Sequence, residues 1–142
     1  MVEQEIIKII LAILISMMIG HERKSRNKTV GARTLSLVCV GSVVATITAL
    51  KYFPIDSGRV LAGIITGIGF LGAGAIISDS GNVRGLTTAA SIWAIAIIGT
   101  VIGVGDYTLA ITASIFLFMI LELDYFKRRR EKEENSKQLL IV

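Results

Sequence analysis

Cysteine, proline and histidine each occur once in this chain, and two of these scarcities remove a class of function. Cys39 alone can form neither an internal disulfide nor a cysteine metal cluster, and in its apolar run it reads as an inert packed thiol. His21 alone cannot build a histidine metal centre. Serines and threonines lie inside apolar runs with no base beside them, so nothing points to nucleophilic catalysis and no enzyme activity is expected. Charge is thin as well. Asp, Glu, Lys and Arg make up 18% of the residues and gather in a few short stretches, whereas a soluble core of this size needs charge every few positions to cover its surface. The net charge of +4 comes from basic clusters at 23–33 and 127–132. The second cluster has no interleaved aromatics and abuts an apolar run, so its expected partner is lipid headgroups and not nucleic acid. The N-terminus opens acidic, at Glu3 and Glu5, and no small-residue cleavage site follows the first apolar run. That run is expected to stay in place as a helix.

What the chain has instead is apolar length. Hydrophobic residues make up 53% and the mean hydropathy is +0.71, a membrane-protein composition. Between Arg59 and Asp79 lie nineteen uncharged residues, among them Gly63, Gly67, Gly69, Gly72 and Gly74. As a helix they would rise roughly 28 Å, about the thickness of a bilayer's hydrocarbon core. Each interior glycine would cost a soluble helix about 1 kcal/mol relative to alanine. In a membrane the same glycines let a second helix approach closely, and Gly63 and Gly67 have the GxxxG spacing. The stretch is therefore expected to be a central helix packed on several sides. Gly67, Gly69 and Gly72 also match GxGxxG, but that phosphate-binding fingerprint needs a strand before it and a helix after it, and here the flanks are continuous apolar residues.

The apolar runs predict an all-α membrane protein, a bundle of about five transmembrane helices near 6–20, 34–50, 60–78, 86–105 and 107–123. Residues 127–142 form a charged tail. The first run is short, and adding Val2 to Glu5 makes it long enough to cross. Asp79 to Arg84 is expected to be a tight loop, Thr87 or Thr88 to cap the fourth helix, and Trp93 to pack between helices. Tyr107 and Tyr125 are placed to anchor the fifth helix at the two interfaces. Five spans put twelve of the fifteen Lys and Arg residues on one side, which predicts the N-terminus outside and the C-terminus in the cytoplasm.

Three stretches carry a resemblance: Gly20-His21-Glu22-Arg23 with Arg26 and Gly31-Ala32-Arg33-Thr34; Thr66-Gly67-Ile68-Gly69-Phe70-Leu71-Gly72-Ala73-Gly74; and Val83-Arg84-Gly85-Leu86-Thr87-Thr88-Ala89-Ala90 with Trp93. In this order and spacing, with Arg59 shortly before the glycine-rich run, the chain resembles the transmembrane domain of the MgtC/SapB family of bacterial and archaeal inner-membrane proteins. The resemblance covers Ile6 to about Leu121. It implies a five-span, multi-pass protein of the cell inner (plasma) membrane, linked to growth in low magnesium or to virulence. It also implies that some members regulate other membrane proteins, including the ATP synthase. Many members carry a small soluble C-terminal domain; this chain is expected to be the transmembrane domain without it.

The matching stretches predict a functional cytoplasmic cluster of Glu22, Arg23, Arg26, Arg33 and Arg84. Glu22 and Arg26, four apart, can pair if the first helix continues past Gly20. One reading is that these arginines set topology and bind lipid phosphate; the other is that they bind an anion or a partner protein. Gly63, Gly67, Gly69, Gly72, Gly74 and Trp93 are expected to serve helix packing. Magnesium needs oxygen ligands, and the carboxylate candidates are Glu22 and Asp79, with Asp56 and Asp106 on the opposite side. No acidic pair stands at ligand spacing, so no cofactor is assigned beyond Mg2+ as a candidate. Two functions stay open: a non-enzymatic regulator that binds another membrane protein and acts in ion homeostasis, or an oligomeric transporter or channel for magnesium or another small ion. The charge-free interiors of spans two to five favour the first. A water-filled cavity lined by Ser42, Thr46, Thr66 and freed carbonyls at Gly69 to Gly74 would favour the second. The expected partners are the bilayer, a membrane protein and a second copy of the chain as a homodimer.

Overall fold

The computed structural model describes residues 2–80 and 82–139, with side chains through Leu123. Its elements are α1 (Val2–Ser25), α2 (Ala32–Tyr52), α3 (Ser57–Gly74), β1 (Ile77–Asp79), β2 (Asn82–Arg84), α4 (Leu86–Val104) and α5 (Tyr107–Leu139). The all-α bundle is what forms. By length and composition α2, α3 and α4 can cross a membrane, and the apolar part of α5, Tyr107–Leu123, is a shorter run. α1 does take in Val2 to Glu5.

α4 is the centre of this bundle, packing against α1, α2, α3 and α5. The reason lies in Gly99 and Gly103, four apart in Gly99-Thr100-Val101-Ile102-Gly103. A Cβ at Gly99 would sit 2.5 Å from the Cys39 carbonyl oxygen, and one at Gly103 would sit 2.6 Å from the Thr46 Cβ. Removing two side chains thus lets the α4 and α2 backbones touch. Leu35, Cys39 and Val43 of α2 and Ile92, Ile95 and Ile102 of α4 fill the core on either side. In lipid the hydrophobic effect does not choose between helix and acyl chain, so this close approach and its dispersion contacts are what hold the pair.

The glycine-rich helix departs from expectation. α3 packs against α2 and α4 along one edge, and of its residues only Gly72 is buried, against Ala89. A Cβ added at Gly63, Gly67, Gly69 or Gly74 would meet nothing within 4 Å, so within this chain they do not pack against another helix. Between α2 and α3 runs an open groove of about 260 Å³ lined by Gly41, Ser42, Gly63, Gly67 and neighbouring aliphatics. Trp93 also departs: it is 46% exposed, on a strip of α4 where Ala90 and Val104 are exposed too.

Three local readings change. α3 stops at Gly74, and Ile77–Asp79 pairs antiparallel with Asn82–Arg84, so the expected tight loop is a small hairpin. α4 is capped by Gly85 in the left-handed region (φ 93°) and by neither Thr87 nor Thr88. Only glycine fits there, because a Cβ would lie against the Ala75 carbonyl. Asp106 is the N-cap of α5, its Oδ1 accepting the Leu109 N–H at 2.9 Å. α5 then continues without a break to Leu139, so the charged tail begins as its extension. The anchoring role of Tyr125, the lipid-binding role of 127–132 and the apolar end at 140–142 lie outside the described residues, as does Gly81 of the hairpin turn.

Candidate functional site

The last turn of α1 gathers most of the buried charge described. Gly20 makes this possible: a Cβ there would lie inside the Ala32 backbone, so the start of α2 is pressed against α1. The helix ends at a left-handed Asn27 (φ 54°), whose N–H reaches Lys24 O at 3.0 Å while Lys28 N–H reaches Arg23 O at 3.1 Å. These reversed bonds satisfy carbonyls that a helix end leaves open. They also fix Arg26 as the C-cap, with its side chain held beside Glu22.

Arg26 bridges two acids. Its Nε lies 2.5 Å from Glu22 Oε1, the expected pair one turn back, and its Nη2 lies 2.6 Å from Glu122 Oε2 on α5. Burial disfavours the guanidinium's charge, but the hydrogen bond and charge of Glu122, then the charge and hydrogen bond of Glu22, outweigh it, so the Arg26 pKa moves upward. Beside this pair, Arg23 Nη2 donates to Thr88 Oγ1 on α4 at 3.0 Å. Arg23 is 2% exposed, Thr88 3% and Glu22 6%. The cluster therefore joins α1, α4 and α5 at one end of the bundle. The formal charges of Arg23, Arg26, Glu22 and Glu122 cancel, which is the condition for holding ions out of water.

Of the five residues grouped by sequence, the structure brings together Glu22, Arg23 and Arg26. Arg33, in the first turn of α2, and Arg84, in β2, are exposed. Asp79 is exposed in the hairpin, where its Oδ1 accepts the Ser80 hydroxyl at 3.1 Å, and it does not join Glu22. Among the described residues no three of His, Cys, Asp and Glu are placed to hold a metal ion. Sequence reasoning missed Glu122 and Thr88. Glu122 had one signal, an acid closing the apolar run of the fifth helix between Leu121 and Leu123.

Two of the hydroxyls that could have lined a pore, those of Thr46 and Thr66, are tied to their own helices, while Ser42 lies on the groove between α2 and α3. Thr46 Oγ1 donates to Ser42 O at 2.7 Å, and Thr66 Oγ1 donates to Ala62 O at 2.9 Å. α3 is continuous helix from Ser57 to Gly74, so its Gly69 to Gly74 stretch is not broken open.

Comparison with known proteins places these features in context. The model of the MgtC family matches residues 9–129. The chain is 40% identical over 132 residues to YhiD of Escherichia coli (strain K12), described as a candidate magnesium transporter; the match covers 87% of this chain and 61% of that protein. It is 41% identical over 112 residues to Protein MgtC of Salmonella typhimurium (strain LT2), covering 79% of this chain and 48% of the relative. Protein MgtC of Brucella abortus (strain 2308) is 40% identical over 110 residues, covering 77% and 46%. The chain thus spans about half to three-fifths of the length of the curated relatives it matches. No solved structure matches it.

Proposed function

This chain belongs to the MgtC family, and from that membership we propose that it acts in magnesium homeostasis as a non-enzymatic regulator that binds another membrane protein. In this reading it is a multi-pass protein of the inner membrane, with its N-terminus outside and its basic loop, hairpin and C-terminal tail in the cytoplasm. The charge asymmetry of the sequence supports that orientation.

The observation that carries the proposal is the state of α3. It is a helix of membrane length, yet only Gly72 is buried, and Gly63 and Gly67 offer a bare small-residue face. Such a face suits close approach by a helix of another protein. The paired arrangement of the ionised cluster also supports regulation over conduction. Arg26 is held between two acids and Arg23 on Thr88, and the Thr46 and Thr66 hydroxyls bond back to their own helices. Ion routes through a membrane use ionisable groups or freed carbonyls along their length.

The test is magnesium flux into sealed liposomes that contain only the purified, inserted protein, with Arg23→Ala and Arg84→Ala variants beside it. No flux above protein-free vesicles is the expected result. Saturable flux that depends on these residues would overturn the regulatory reading and make the chain a transporter.

A further inference from the structure

At the end of the bundle opposite the Arg26 cluster, three helix ends enclose a second polar site. Lys8 of α1 donates from Nζ to the Gly103 carbonyl in the last turn of α4, at 2.7 Å. Its ammonium also lies 3.5 Å from where a Gly105 Cβ would be, so the left-handed glycine that ends α4 leaves room for it. Lys51, at the end of α2, donates from Nζ to Glu5 Oε1 at 2.9 Å, with side chains 41% and 33% exposed. Between the two ammoniums is a cleft of about 240 Å³, rimmed by Gln4, Glu5, Lys8 and Lys51, with Ile47 and Leu50 as its apolar wall.

The charge balance decides the sign of what fits. Two ammoniums face one carboxylate. The charged side chains that line the cleft thus carry one net positive charge. A divalent cation is repelled and an anion is drawn in. Each ammonium has three N–H groups, and the bonds to Gly103 and Glu5 use one apiece. Glu5 is there to meet a cationic substituent on the same ligand. Depth narrows the chemistry further. Tyr52 and Tyr107 lie at the same end and are 65% and 36% exposed, as residues at headgroup level are. The volume is below that of a drug-sized pocket and suits a headgroup.

We propose that this cleft binds a phosphate group at headgroup depth, with Lys8 and Lys51 donating to the phosphate oxygens and Glu5 receiving the ammonium of a phosphoethanolamine headgroup. The phosphate can come from a phospholipid or from free inorganic phosphate. The protein is reconstituted in nanodiscs of phosphatidylethanolamine, phosphatidylglycerol or phosphatidylcholine, and lipid retained on release is counted by native mass spectrometry. A parallel arm titrates lipid-depleted protein with inorganic phosphate.

Wild type is expected to retain phosphatidylethanolamine, and Lys51→Ala to lower the retained fraction about tenfold, the effect of one charged hydrogen bond. Lys8→Met should do the same. Because Lys8 also closes the end of α4, Lys51→Ala is the deciding variant if Lys8→Met does not fold. Glu5→Gln should erase the preference for phosphatidylethanolamine over phosphatidylglycerol. Phosphate binding that needs both lysines, without lipid retention, would assign the site to the free anion. Equal lipid retention and equal phosphate binding in wild type and Lys51→Ala would overturn the proposal.

Discussion

α3 carries six glycines in eighteen residues and α4 only two in nineteen, yet α4 is the helix the bundle closes around and α3 lies along its edge. The difference is in what faces the glycines. Gly99 and Gly103 stand opposite Cys39, Ser42 and Thr46, small residues spaced to receive a bare helix surface. Gly63 and Gly67 look into an open groove. Glycine permits close approach but does not choose the partner; the facing residues choose it.

The strongest test of this contrast is Gly99→Leu. A side chain there must displace the α2 backbone at Cys39, and we expect a loss of about 3 kcal/mol or more, read by SDS titration of the purified protein. Cys39, fully buried and the only cysteine, reports the same event: its maleimide labelling should become fast in the variant and stay slow in wild type. Unchanged stability and labelling would mean that α2 and α4 are not in contact.

A smaller effect is expected at the cluster that ties α5 to the bundle. Glu122→Ala removes one of the two acids that Arg26 bridges, and removing one member of a buried pair costs roughly 3–5 kcal/mol. The Glu122 side chain is 30% exposed, so screening should reduce the loss to about 2 kcal/mol. A double-mutant cycle with Arg26→Ala that shows no coupling between the two residues would contradict the bridge.

Smallest, and most informative about partners, is the pair Gly63→Ala and Gly67→Ala. With nothing within 4 Å, each should leave the isolated chain unchanged or raise its stability by up to about 1 kcal/mol through helix propensity. A drop in stability that appears only when the protein is dilute in detergent, or only in the native membrane, would mean that another helix covers this face there.

How far the sequence could be read follows from the same contrast. Apolar length located every helix, and the fourfold spacing located the Glu22–Arg26 pair, because both signals are local. The bridge to Glu122 was not legible, since nothing near Arg26 in the chain marks an acid on the last helix. The Gly99 and Gly103 pair was in plain view, but the denser glycines of α3 drew the packing role to themselves. Trp93 was read by its position along α4, while its exposure depends on which strip of that helix the neighbours leave uncovered.

The Arg26 bridge also has a consequence in time. Arg26 leaves the ribosome early, and Glu122 follows some hundred residues later. At about 5–20 residues per second, the wait is on the order of 5–20 s. During that interval Glu22, one turn away and made moments before, is already present to hold the guanidinium. Glu22 then acts as a placeholder in assembly, and the arrival of the last helix is what completes the joint.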